Sequence, residues 1–217
     1  KMKNKLIILG AGGHGRVLAD TAELTNNWSE IVFLDDRYPK LKSSGNWKVV
    51  GNSNDAENFL SVYSDAAVGI GDNQTRLNCL EKLLTLGFSL PVIAHPTAVI
   101  SQYSTIAAGS VLFALTAVNF GAKLAMGCIV NTGAKIDHDC SLGKGVHLSP
   151  GVHIAGAVTI GDCSWIGIGA VVRPTILIGN NVIVGAGAAV INNLSAGITV
   201  VGVPARVLKK SNGTNYE

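Results

Sequence analysis

The chain has 217 residues, 47% of them hydrophobic and 14% charged, with a formal net charge of +3. Length and apolar content suffice for one large domain or two modest ones, each with its own core. The basic residues are scattered apart from Lys209 and Lys210, and no stretch reaches the length of a membrane span. Nucleic acid and membrane are therefore not expected partners.

In chain order, Leu6 to Leu9 reads as a short apolar strand. It runs into a glycine loop, Gly10-Ala11-Gly12-Gly13-His14-Gly15, and the stretch from Arg16 to about Thr25 is patterned as a helix. A second strand, Ile31 to Leu34, ends at Asp35 and Asp36. After a polar excursion come a strand near Val49, a helix from about Asp55 to Ser61, a strand from Ala66 to Ile70 and the loop Gly71-Asp72-Asn73. A helix from about Gln74 to Leu86 and an apolar run from Leu90 to Ile93 follow. Strands alternating with helices imply a parallel sheet with ligands beyond the carboxyl ends of its strands. Residues 1–94 are thus expected to form an α/β, half-Rossmann-like domain, with His95-Pro96 at its boundary. Gly10, Gly12 and Gly15 fit G-x-G-x-x-G, and Asp35 follows Gly15 by twenty residues, as in a dinucleotide fingerprint. Such a short region holds only half of a dinucleotide-binding sheet and no partner for hydride transfer. Backbone N–H groups at a helix start still favour phosphate oxygens.

From Ile100 to Val190 every sixth residue is aliphatic, through Leu112, Val130, Leu148, Ile166 and Val184. The column two residues earlier, from Ser104 and Ser110 to Cys128, Cys140, Ser164 and Ala188, is small or β-branched. A period of six fits neither a helix nor a membrane span but does fit a stacked parallel β-helix. If three hexapeptides make one triangular turn, residues 18 apart stack about 4.8 Å apart. Residues 95–202 are assigned to this coil, with Gly143, Gly161, Gly167, Gly179 and Gly185 read as tight-turn glycines. Gly202-Val203-Pro204-Ala205 ends it. In the tail, 203–217, Arg206 to Lys210 reads as a short helix and Ser211 to Glu217 as frayed. Cys79, Cys128, Cys140 and Cys163 form no CxxC pair and are expected to be free thiols. The N-terminal segment has no secretory pattern, so a cytoplasmic location is expected.

The GAGGHG loop, the strand end Phe33-Leu34-Asp35-Asp36, Gly69-Ile70-Gly71-Asp72-Asn73, the hexapeptides, the segment 131–140 and the closing GVPA together resemble the hexapeptide-repeat sugar acyltransferases. That group includes the UDP-4-amino-sugar N-acetyltransferases of the UDP-N-acetylbacillosamine pathway and the sialic-acid O-acetyltransferases. The resemblance spans Gly10 to Ala205. It implies a left-handed coil, a homotrimer, acetyl-CoA as co-substrate, no metal, and a UDP-amino sugar as acceptor. It also implies residue roles. His138 would be the general base, a task suited to an imidazole titrating near working pH. Asp139, where relatives carry glutamate, would orient it. Gly12, Gly13, His14, Asp35, Asp36 and Gly71 would meet the nucleotide-sugar, and His147, Ile168 and Ala186 the coenzyme at a subunit junction. Glycines such as Gly156, Gly167, Gly169, Gly185 and Gly187 would let the pantetheine arm approach. Arg206, Lys209 or Lys210 would meet its phosphates or remain solvated.

Three other readings stand beside acetyl transfer to a 4-amino-dideoxy sugar. They are sialic-acid-type O-acetylation, a zinc-dependent hydratase, and a non-catalytic nucleotide-sugar-binding trimer. His138, His147 and His153 are not separated by multiples of 18, so a same-chain zinc triad is disfavoured, and His153 reads as structural.

Overall fold

The computed structural model describes residues 4–208. The apolar runs become β1 (Asn4–Leu9) and β2 (Trp28–Leu34), separated by α1 (Gly13–Thr25), which starts inside the glycine loop. A short hairpin, β3 (Ser43–Ser44) and β4 (Trp47–Gly51), follows. Its first strand is absent from the sequence expectation because two serines carry no apolar pattern. A 3₁₀ turn leads to α2 (Ala56–Phe59), then β5 (Asp65–Val68) and α3 (Asn73–Leu86). The sheet order is β3-β4-β2-β1-β5, and every pairing except β3 with β4 is parallel. Helix α1 buries Leu18, Ala19 and Ala22 with Leu6, Ile8 and Phe33 on one side of the sheet. On the other, Leu77, Leu80 and Leu83 of α3 meet Ile7, Leu9, Val32 and Leu34. Each fully buried leucine contributes about 1.5–3 kcal/mol.

The remainder is a left-handed parallel β-helix of two-residue strands that pair with strands 18 positions away. Its first face runs from β6 (Ile93–Ala94) through Val111–Leu112, Ile129–Val130, His147–Leu148 and Trp165–Ile166 to Ile183–Val184 and Thr199–Val201. The second carries Ala117–Val118, Lys135–Ile136, His153–Ile154 and Val171–Val172. The third carries Lys123–Leu124, Ser141–Leu142 and Thr159–Ile160. Inside, the sixth-residue aliphatics stack with the small column into one core. The polar members of that column are satisfied within it: Ser164 Oγ donates to the Gly179 carbonyl at 2.7 Å.

Two sequence expectations need correction. Arg206–Val207 is a strand antiparallel to Thr199–Val201, not a helix, because a turn over residues 202–205 folds the chain back along the last rung. Lys209 to Glu217 lie outside the described residues. The left-handed corner positions belong to Gly109, Gly127, Gly133, Gly145, Gly151, Gly169 and their column mates, not to Gly143, Gly161, Gly167, Gly179 or Gly185. Those five are small for another reason: a Cβ there would strike the next rung, at Asp162, Asn180, Val184, Ala196 or Val201.

The α/β domain covers the first face. Ile93, Val111, Phe113 and Ile129 join the α1 cluster, while Leu77 and Leu80 of α3 lie over Gly109, Gly127 and Gly145 at the adjoining corner. A Cβ on Gly127 would sit 2.6 Å from Leu80 Cδ1, so this column of glycines is what lets α3 approach the coil.

Candidate active site

His138 sits on the corner between the second and third faces, away from the α/β domain. Its Nδ1 lies 2.9 Å from Asp139 Oδ2, although neighbours in extended chain would point apart. The corner solves this: Asp139 adopts φ 56°, a left-handed conformation that aspartate tolerates, and its carboxylate turns onto the imidazole's side. Two glycines clear the space. A Cβ on Gly121 would lie 2.5 Å from Asp139 Oδ1, and one on Gly156 would lie 2.5 Å from His138 Nε2. Asp137 Oδ1 accepts from the His138 backbone N–H at 2.8 Å and from Asn119 Nδ2 at 3.0 Å. The Asp139 hydrogen bond, then the Asp137 charge, raise the His138 pKa above its ordinary value. The pair is open to solvent, with side chains 58% and 60% exposed.

The glycine loop divides into two kinds of glycine. Gly10, Gly15 and Gly69 are packed backbone to backbone, a Cβ on Gly69 falling 2.5 Å from Gly15 Cα. A Cβ on Gly12, Gly13 or Gly71 would meet nothing, so these three leave open space beside the loop instead of serving its packing. Asp35 is turned inward. Its carboxylate accepts from the Ala11 N–H at 2.8 Å and from Arg37 Nε and Nη2 at 2.7 and 2.9 Å, and the Arg37 bonds chiefly hold its pKa down at about 2. It shapes the loop, whereas Asp36 is exposed and accepts from the Ser53 N–H at 3.1 Å.

Where the α/β domain meets the first face, His14 packs edge-on against Phe113, with ring centroids 5.4 Å apart, and lies 6.2 Å from the ring of His147. Burial first, and the Arg76 charge second, take His14 down to about 4 and His147 down to about 3, so both imidazoles are neutral. His147 Nε2 lies 3.3 Å from Asn131 Nδ2, and Nε2 of His14 is buried without a partner. Next to them opens a cleft of about 360 Å³ between Gly71–Gln74 and Cys163, Trp165, Asn181 and Ile183. His147 thus joins the group of His14 and Gly71. Ile168 and Ala186 stand 18 apart on the corner that follows this face, both exposed.

A family model described as PglD N-terminal domain matches residues 5–83. GDP-perosamine N-acetyltransferase of Escherichia coli is 30% identical over 218 residues, covering 94% of this chain and 96% of that protein. The chain belongs to the nucleotide-sugar N-acetyltransferases. The acetyltransferase is also 32% identical to UDP-N-acetylbacillosamine N-acetyltransferase of Bacillus subtilis over 115 residues, 52% of each chain. Among solved structures it resembles the acetyltransferase domain of PglB from Neisseria gonorrhoeae in complex with acetyl coenzyme A, at 42% identity and TM-score 0.91, covering 95% of this chain and 100% of that one. A histidine-to-asparagine variant of perosamine N-acetyltransferase from Caulobacter crescentus, in complex with CoA and GDP-perosamine, matches at 32% identity and TM-score 0.90, covering 95% and 98%.

In the acetyltransferase, His138, His147 and His153 occupy one corner and two different faces, and among the described residues no three His, Cys, Asp or Glu side chains group as a metal site. His153 Nε2 lies 3.2 Å from Lys135 Nζ on the second face. Sequence reasoning had Asn73 only as part of a loop motif, and it missed Trp165 and above all Arg76, an arginine 1% exposed in α3 that no motif announces. No described helix is long and apolar enough to cross a membrane.

Proposed function

We propose that the chain moves the acetyl group of acetyl-CoA to the amino group of a nucleotide-linked 4-amino-dideoxy sugar, as a homotrimer with a site at each junction between copies. One observation carries this reading. The His138–Asp139 pair lies on the corner opposite the face that bears the glycine loop, so one chain's base and another chain's sugar-binding loop are the pair that can meet.

In this reading Gly12, Gly13, His14, Asp36 and Gly71 hold the nucleotide-sugar, with loop N–H groups toward the diphosphate. His147, Ile168 and Ala186 border the coenzyme. The neutral amine attacks the thioester carbonyl, His138 Nε2 takes its proton, and the C–S bond breaks to release the thiolate, which is then protonated. Asp139 holds the imidazole and stabilises its charged form, and a backbone N–H meets the developing oxyanion. The acyl chemistry of the PglB and perosamine relatives, whose structures contain acetyl coenzyme A or CoA, supports the donor.

Relatives named for GDP- and UDP-linked sugars both match, so the acceptor panel contains both nucleotides, with free sialic acid as the O-acetylation control. Thiol release from acetyl-CoA should depend on a 4-amino nucleotide-sugar and fall by roughly 10²–10⁴ in His138→Ala. Unchanged turnover in that variant rules the mechanism out.

A further inference from the structure

We propose that Arg76 is a positioning residue for the transfer: with Asn73 it clips the loop that borders the sugar site onto three successive rungs of the coil. The inference rests on the nucleotide-sugar reading of Gly12, His14 and Gly71 given above.

The geometry is a ladder. Gly127, Gly145 and Cys163 are 18 residues apart, one per rung on one corner, so their carbonyls form a column at the strand spacing of about 4.8 Å. Arg76 Nε donates to the Gly127 carbonyl at 2.9 Å and Nη2 to the Gly145 carbonyl at 2.7 Å. Asn73 Nδ2 donates to the Cys163 carbonyl at 2.9 Å. The same guanidinium holds the loop: Nη1 donates to the carbonyls of Ile70 and Gly71 at 3.2 and 2.9 Å, and Nη2 to Asn73 Oδ1 at 2.9 Å. Only a planar fork with donors on three nitrogens can reach two rungs and the loop at once, and a lysine ammonium cannot.

Arg76 is buried and, among the described residues, forms no ion pair; burial lowers its pKa to about 10, which leaves it charged at neutral pH. The nearest titratable groups are Asp72, Cys128 and Cys163 around the guanidinium, and His14 and His147 across the junction. Burial first, and this cation second, keep both imidazoles uncharged, the state in which each can offer one donor and one acceptor to a polar ligand. The clip therefore sets where Gly71 and the cleft mouth sit relative to Trp165, and its charge adds to the burial that already holds the junction histidines neutral.

The test compares Arg76→Lys, Asn73→Ala and Gly12→Ala in the 217-residue chain. Steady-state KM is measured for UDP- and GDP-4-amino sugars and for acetyl-CoA, and NMR titrates the His14 and His147 imidazoles in Arg76→Gln. Arg76→Lys should raise the nucleotide-sugar KM at least tenfold, Asn73→Ala less, with the acetyl-CoA KM within twofold of wild type. In Arg76→Gln both imidazoles should titrate at higher pH than in the parent. A purely structural arginine would lower only the yield or melting temperature of folded protein; wild-type KM values with unshifted titrations overturn the proposal. Gly12→Ala adds a methyl that meets nothing in the chain, so it reports on ligand alone. If it leaves the nucleotide-sugar KM unchanged, the underlying site reading fails. If it raises KM while the Arg76 and Asn73 variants do not, only the clip fails.

Discussion

A single methyl group at Gly156 probes the His138 arrangement more selectively than removing the imidazole. Gly156 does not have positive φ, so its backbone accepts alanine without strain, yet an added Cβ would lie 2.5 Å from Nε2, 2.6 Å from Cε1 and 3.1 Å from Cδ2 of His138. Ordinary contact needs roughly 3.5–4 Å, so the ring must retreat by about 1 Å or swing away from the corner. A misplacement of about 1 Å costs on the order of 10² in rate. Gly156→Ala should therefore lower kcat about a hundredfold, between wild type and His138→Ala, while the melting temperature and acetyl-CoA affinity stay close to those of the parent. Thiol-release kinetics with saturating acetyl-CoA, alongside circular dichroism of the coil, make the comparison. A kcat indistinguishable from wild type would mean that the imidazole position seen on this corner is not the one used in turnover.

Other expectations follow from the same geometry. Asp139→Asn removes the largest influence raising the His138 pKa, so the acid limb of kcat/KM should move to lower pH and the plateau should fall; a limb moving upward contradicts the assigned pairing. Gly15→Ala drives a methyl into the Gly10 carbonyl and should destabilise the α/β domain toward the upper end of the ~1–3 kcal/mol typical of overpacking, read as a loss of helical signal on heating. Leu148→Ala opens a cavity in the middle of the coil core and should cost about 2–5 kcal/mol in denaturant unfolding.

How much of this was readable in the chain depends on the kind of signal. The coil was legible because its period is imposed by the sixth-residue aliphatics, and the stacking of residues 18 apart follows by arithmetic. The open glycines 12, 13 and 71 came from the resemblance, and the structure adds why they differ from Gly10 and Gly15, which are consumed by close backbone packing. The corner bend that brings Asp139 onto His138 needs a positive φ that no pattern states. The glycine roles along the coil were misassigned for a related reason: a turn glycine and a glycine beneath a neighbouring rung look alike until rungs are stacked. Arg76 was invisible because its partners are backbone carbonyls 51 and 69 residues away, which leave no residue-type signature.

The central claim is that a working site joins the His138 corner of one copy to the sugar-binding loop of another. Subunit complementation tests it directly: His138→Ala is co-expressed with Gly12→Trp, each inactive alone, and thiol release is measured on the mixed oligomers. If neighbours share sites, random assembly pairs an intact histidine with an intact loop at roughly a quarter of the junctions, and activity should return to about that fraction of wild type. Mixed oligomers as inactive as the parent variants would place histidine and loop in the same chain's site and contradict the account.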